Sequence, residues 1–171
     1  MRPLLFLDVD GPLNPFQAKP SKRPDGYLTY RIWTSVTPAP MPGRRKPLRV
    51  WLKPSHGEDL LALPYELVWA TTWTHEANQK IGPELGLPAL PVIAWPEQRQ
   101  GADGLHWKTR AIVEFAAGRP FAWVDDELTE TDRVWVMRQH GEALLHWVDP
   151  RLGLRAADFE TLRAWAGKLD E

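Results

Sequence analysis

Asp8 and Asp10 stand two apart at the end of an apolar run, Leu4-Leu5-Phe6-Leu7, and Gly11 follows at once. Alternate residues of an extended chain face the same side, so both carboxylates can project together while Val9 turns inward. An apolar run closed by a turn signal reads as a buried parallel strand. Ligands of open α/β sheets bind beyond the carboxyl ends of such strands. Two acids there make an oxygen-rich pocket for a hard cation such as Mg²⁺, and one of them can act as a nucleophile. The plain alternative is a strand ending in an Asp-Gly turn. The rest of the chain separates the two.

Two later apolar runs also end in polar residues. Glu66 to Ala70 leads into Thr71 and Thr72, and Phe121 to Val124 leads into Asp125, Asp126 and Glu127. Between them, Lys108 falls in the first turn of a helix expected from His106 to about Ala117, with Trp107, Ala111, Ile112, Phe115 and Ala116 on one stripe. A parallel sheet puts all its strand carboxyl ends on one edge, where these groups can converge. Taken singly, each has an ordinary account: strand-end threonines, helix-entry acids favoured by the macrodipole, a surface lysine. The ordered set suits phosphoryl transfer, which demands positioning and charge neutralisation above all. A carboxylate can attack phosphorus, a cation and a lysine offset the charge, and a hydroxyl with strand-end amides holds the phosphoryl oxygens.

The elements that must position these groups follow from the remaining pattern. Tyr27 to Val36 and Leu48 to Leu52 are β-rich, and the proline-rich stretch Thr37 to Pro47 between them is a loop. This predicts a β-hairpin or flap, assigned to residues 14–47, inserted after the first strand and lying over the mouth of the site. Ser55 with Glu58 reads as a capping box opening a helix to Leu63. Thr74 is expected to cap a brief helix that Gly82-Pro83 interrupts near Ile81. Leu90 to Trp95 reads as a further strand, Thr129 opens a helix to about His140, Ala143 to Val148 is the last strand, and a final helix aligns Phe159, Leu162, Ala166 and Leu169. Strands separated by helices predict a single α/β domain over residues 1–171 with a doubly wound parallel sheet.

Composition narrows the classes. The 171 residues are 43% hydrophobic and 25% charged, ordinary for a globular domain. A net charge of −1 supplies no general pull toward nucleic acid or an anionic membrane, and Arg44-Arg45-Lys46 reads as a solvated loop. No stretch is long and apolar enough to span a bilayer, and the apolar start is too short for a signal peptide. The absence of cysteine excludes thiolate metal sites and fits a cytoplasmic protein. His56, His75, His106, His140 and His146 show no metal-ligand spacing. Trp33 and Trp73 fall where they can line the pocket, although packing roles are the default for both.

The sequence resembles the haloacid dehalogenase-like (HAD) hydrolase superfamily at Leu7-Asp8-Val9-Asp10-Gly11-Pro12-Leu13, at Val68-Trp69-Ala70-Thr71, at Lys108 and at Trp123-Val124-Asp125-Asp126-Glu127. The resemblance implies a Rossmann-like three-layer sandwich with a small cap and Mg²⁺-dependent hydrolysis of a small phosphorylated substrate, a nucleotide or another metabolite. It implies Asp8 as nucleophile and metal ligand. Asp10 would be the proton carrier, with its backbone carbonyl on the metal. Thr71, with Thr72 beside it, would bind the phosphoryl group, Lys108 would neutralise charge, and Asp125 or Asp126 would complete the metal shell. Pro12 departs from the Thr or Val usual at its position, removing an N–H where the flap leaves the core. A catalytically weak binding module on the same scaffold, or another phosphotransfer reaction, is the competing expectation.

Overall fold

The computed structural model describes residues 1–35, 46–96 and 103–169. Arg44 and Arg45 of the basic loop, and most of the polar loop after Trp95, lie outside them. Four strands form a parallel sheet: β1 (Leu4–Leu7), β4 (Glu66–Trp69), β5 (Phe121–Asp125) and β6 (Ala143–Trp147), in the order β4-β1-β5-β6. The most apolar strand, β1, is wholly buried at the centre, flanked in register by Leu7↔Trp69 and Leu7↔Val124. Asp8 therefore leaves the sheet at its middle, with strand ends on either side.

Both faces of the sheet are covered, as continuous apolar strands require. On one face Leu5, Leu7, Trp69 and Val124 pack with α1 (Ser55–Leu61), α2 (Gly82–Leu85) and the Phe159, Leu162 and Ala166 stripe of α5 (Ala156–Lys168). On the other, Phe6, Val68 and Trp123 pack against Ile112 and Ala116 of α3 (Thr109–Ala116) and Val136 of α4 (Glu130–Gln139). This is the three-layer α/β sandwich that the strand–helix alternation predicts.

The insertion after β1 is an antiparallel hairpin of β2 (Leu28–Ile32) and β3 (Leu48–Leu52), so its return strand reaches Leu52. Tyr30, Ile32, Val50 and Leu52 face the main core and seat the hairpin on the domain. The Glu76 carboxylate fastens its far end, accepting the Ser35 N–H and Oγ–H and a hydrogen bond from Thr34.

Five local expectations are corrected. The first helix ends at Leu61, and Pro54, with no side-chain hydrogen bond, stands at its N-terminus, so Ser55 closes no capping box. Gly82-Pro83 does not interrupt the second helix: a π-helical turn, Ala77–Ile81, runs directly into α2. Proline is tolerated there because the first turn of a helix needs no N–H donor from it. Thr74 has a positive φ of 50° rather than a cap conformation. Among the described residues, the segment after Leu90 meets the sheet through a single parallel bridge between Val92 and Trp69, since the prolines around it withhold the donors a longer ladder needs. The clearest expected helix starts at Thr109, three residues late. Lys108 is its N-cap residue, Trp107 precedes it, and Phe115 is exposed rather than on the buried stripe.

Candidate active site

The carboxyl ends of β1 and β5 and the entry to α3 meet around one buried cation. Lys108 Nζ lies 2.7 Å from Asp8 Oδ2 and 2.7 Å from Asp125 Oδ2, with all three side chains almost fully enclosed. A lysine is buried only when paired, and two carboxylates hold its ammonium above the ordinary lysine range despite the cost of its burial. The strands explain the placement. Asp125 is the last residue of β5, and its neighbours fix both its oxygens: Oδ2 also accepts the Trp123 indole N–H, and Oδ1 accepts the Glu127 N–H. Asp8 Oδ1 accepts the N–H of Val9 at 2.7 Å.

Asp126 completes an acid cluster with Asp8 and Asp125, one oxygen of each lying within 4.8 Å of the others. Burial and the neighbouring Asp125 and Glu127 raise the Asp126 carboxyl to about 7. Burial, with Asp125 adding to it, raises Asp8 well above the usual carboxylate range even though Lys108 pulls the other way. Three carboxylates against one ammonium leave excess negative charge in a poorly solvated place. That donor set, all hard oxygen, fits a divalent cation. Gly11 makes the cluster possible. Its φ is +97°, and a Cβ there would lie 2.6 Å from Asp126 Cγ, so any side chain would displace the acid.

Asp10 faces the same cavity but stands outside the acid cluster. Its Oδ1 accepts Asn14 Nδ2 at 2.8 Å and its Oδ2 accepts the Trp73 indole N–H at 2.9 Å. Both oxygens are thus oriented by neutral donors. The cavity, about 490 Å³, is lined by Asp8, Asp10, Lys108 and Asp126 and walled by Trp73, Trp107, Phe16 and Arg49. Thr72 lines it as well. Thr71 lies fully buried behind, its hydroxyl accepting the Trp73 N–H at 3.2 Å. Trp33 is not among the lining residues.

Two contributors were not visible in the sequence. Asn14 joins the hairpin to the site, since its Oδ1 accepts the Trp51 N–H of β3 while its Nδ2 holds Asp10. Only the proximity of Asn14 to the first motif could have hinted at this. Asp132 is wholly buried and accepts from His106 N, Thr109 Oγ1 and Thr129 N, tying the start of α4 to both flanks of Lys108. Burial alone would raise its carboxyl, but the donors from Thr129, Thr109 and His106 hold it below the ordinary range. Its sequence signal is the Thr129-x-x-Asp132 capping box, which the structure forms. His106 closes the ring: its Nδ1 accepts the Lys108 N–H, which leaves Nε2 as the protonated nitrogen facing Glu127 at 2.8 Å.

A four-stranded parallel sheet with acids at the ends of its central strands, a buried lysine between them and a hairpin after the first strand defines a HAD-like hydrolase or phosphotransfer scaffold. The family model for the HAD domain in Swiss Army Knife RNA repair proteins matches residues 4–159, and the chain belongs to that family. No curated protein and no solved structure matches it. Among the described residues no helix is long and apolar enough to cross a membrane.

Proposed function

We propose that the protein is a divalent-metal-dependent phosphomonoesterase that removes a terminal phosphate from an RNA strand. The observation that carries the chemistry is the pairing of Lys108 with both Asp8 and Asp125 beside a carboxylate, Asp10, that is oriented yet outside the cluster. The family supports the substrate class, because its description places the domain in RNA repair proteins.

Asp8, with Oδ1 held by the Val9 N–H, presents a carboxylate oxygen to phosphorus and forms an aspartyl-phosphate. Lys108 offsets the charge that gathers on the phosphoryl oxygens. Asp10 gives its proton to the departing ribose oxygen, then accepts one from the water that hydrolyses the intermediate. Thr72, at the cavity wall, contacts the phosphoryl group. Asp8 and Asp126 would hold the cation, Mg²⁺ being the ion whose preference for hard oxygen matches them. Asp125, oriented by Lys108 and the Glu127 N–H, would complete the cluster that holds it. When bound, the cation supplies charge neutralisation on the phosphoryl oxygens.

The test is phosphate release from single-stranded oligoribonucleotides carrying a 5′- or 3′-phosphate, set beside a panel of small phosphate esters. The expected result is Mg²⁺-dependent release from an RNA end, abolished by EDTA and by Asp8→Asn. Turnover of small esters alone would replace the RNA assignment with a metabolite phosphatase. Failure on every ester would leave a binding module.

A further inference from the structure

The net charge of −1 averages two opposite parts. Residues 14–53, from Asn14 through the end of the hairpin, contain nine Lys and Arg against Asp25 alone, a formal charge of +8 that leaves −9 on the remainder. Outside this insertion, basic side chains commonly meet acids, as in Lys80–Glu76, Arg110–Asp103, Arg119–Glu66 and Arg151–Asp149. Among the described residues of the insertion, no lysine or arginine forms an ion pair with a carboxylate.

The hairpin register concentrates this charge. Tyr30↔Val50 and Leu28↔Leu52 belong to one face, and Thr29↔Trp51 and Arg31↔Arg49 to the other. Two arginines directly opposite each other repel, a destabilising arrangement in a two-stranded sheet unless an anion lies between or above them. Arg49 reaches from that pair to the active site: its guanidinium stacks 4.0 Å above the Trp51 ring, and its side chain lines the catalytic cavity. Aromatic surface accompanies the charge. Phe16, at the cavity wall, is 45% exposed, and Trp33, just past β2, is 56% exposed. Unpaired cations with exposed rings are the combination that holds single-stranded nucleic acid, by neutralising phosphates and stacking bases.

We propose that the outer face of the hairpin, around Arg31, Arg49 and Lys46, is the track for the strand behind the terminal phosphate, and that it makes a single-stranded polynucleotide the preferred substrate. This rests on the RNA-end function proposed above and assigns the surface that would enforce it. A small phosphorylated metabolite would fill the cavity and leave Arg31 and Lys46 without a role.

The experiment measures fluorescence anisotropy of a labelled 12-nucleotide single-stranded RNA with hydroxyl ends, in Mg²⁺, so that no monoester is present to hydrolyse. Wild-type protein is expected to bind with a log–log salt slope of about −3, equivalent to about four or five phosphates neutralised. Arg31→Glu and Lys46→Glu, both at exposed positions, are each expected to weaken binding about tenfold and flatten that slope by about one. A slope near zero, or affinity unchanged in both variants, would overturn the assignment. Phosphate release by the wild type from a small aryl phosphate and from a 5′- or 3′-phosphorylated oligoribonucleotide is followed in parallel. Hydrolysis without RNA binding defeats the track alone, and binding without any hydrolysis defeats the catalytic proposal alone.

Discussion

Asn14 donates a 2.8 Å hydrogen bond to Asp10 Oδ1, and the same side chain accepts the Trp51 N–H from the hairpin. One amide thus couples the position of the cap strand to the carboxylate proposed to carry the proton. Asn14→Ala is expected to lower kcat on a small phosphate ester by about ten- to a hundredfold, the effect of losing a bond to a charged group, with a much smaller change in KM. Hydrogen exchange at the Trp51 amide should accelerate in the same variant. An unchanged kcat would remove Asn14 from the site.

Among the described residues Lys108 is the sole basic partner of both Asp8 and Asp125, so its loss leaves like charges buried together. Lys108→Met, close in volume, is expected to destabilise the fold by about 3–5 kcal/mol near neutral pH in chemical denaturation. The loss should shrink on acidification, when protons can replace the ammonium between the two carboxylates, and on addition of Mg²⁺. Equal stability of variant and wild type would mean that the pair is solvated.

A cation at Asp8 and Asp126 must compete with protons, because Asp126 stands at about 7 and Asp8 is raised as well. Below about pH 7 the Asp126 carboxyl is protonated in the metal-free protein. Apparent Mg²⁺ affinity, read from the rise in Tm with added metal, should therefore fall by at least about tenfold between about pH 8 and pH 6. Asp126→Asn should weaken binding and remove much of this pH dependence. Metal stabilisation that is flat across this range would place the cation elsewhere.

His56, on α1, is buried between Tyr27 and Phe159. Burial, with Lys53 nearby, lowers it to about 4. The unfolded chain then binds the extra proton first, so stability is complete above about 6.5 and declines as pH falls toward about 4. Where only the unfolded chain holds that proton, stability falls by about 1.4 kcal/mol for each step of one in pH, so this one group accounts for a loss of about 2 kcal/mol between about pH 7 and pH 5. His56→Leu should show a correspondingly shallower acid decline in urea unfolding. Parallel declines in the two proteins would refute the assignment.

Much of the fold was readable because its signals are local. A buried central strand must be continuously apolar, and β1 is; the helix that Thr129 opens carries its own capping box. What failed was equally local in cause. The sequence around Gly82-Pro83 looks like a break, yet a proline in a helical first turn costs nothing, and the π-helical turn before it needed the packed core to select it. The basic insertion was written in the sequence, but a whole-chain charge concealed it until the hairpin's limits and register were known.

By itself, the order of residues determined that Asp8, Asp10, Lys108, Asp125 and Asp126 would share one edge, because parallel strands all end on the same side. Only the tertiary structure decided how they divide the work. It gave Lys108 to Asp8 and Asp125, left Asp126 raised and facing the cavity, and set Asp10 apart on Asn14 and Trp73. Those assignments depend on ångström distances between groups up to a hundred residues apart. Side-chain spacing along a strand fixes a face; which charge meets which is fixed only when the layers close.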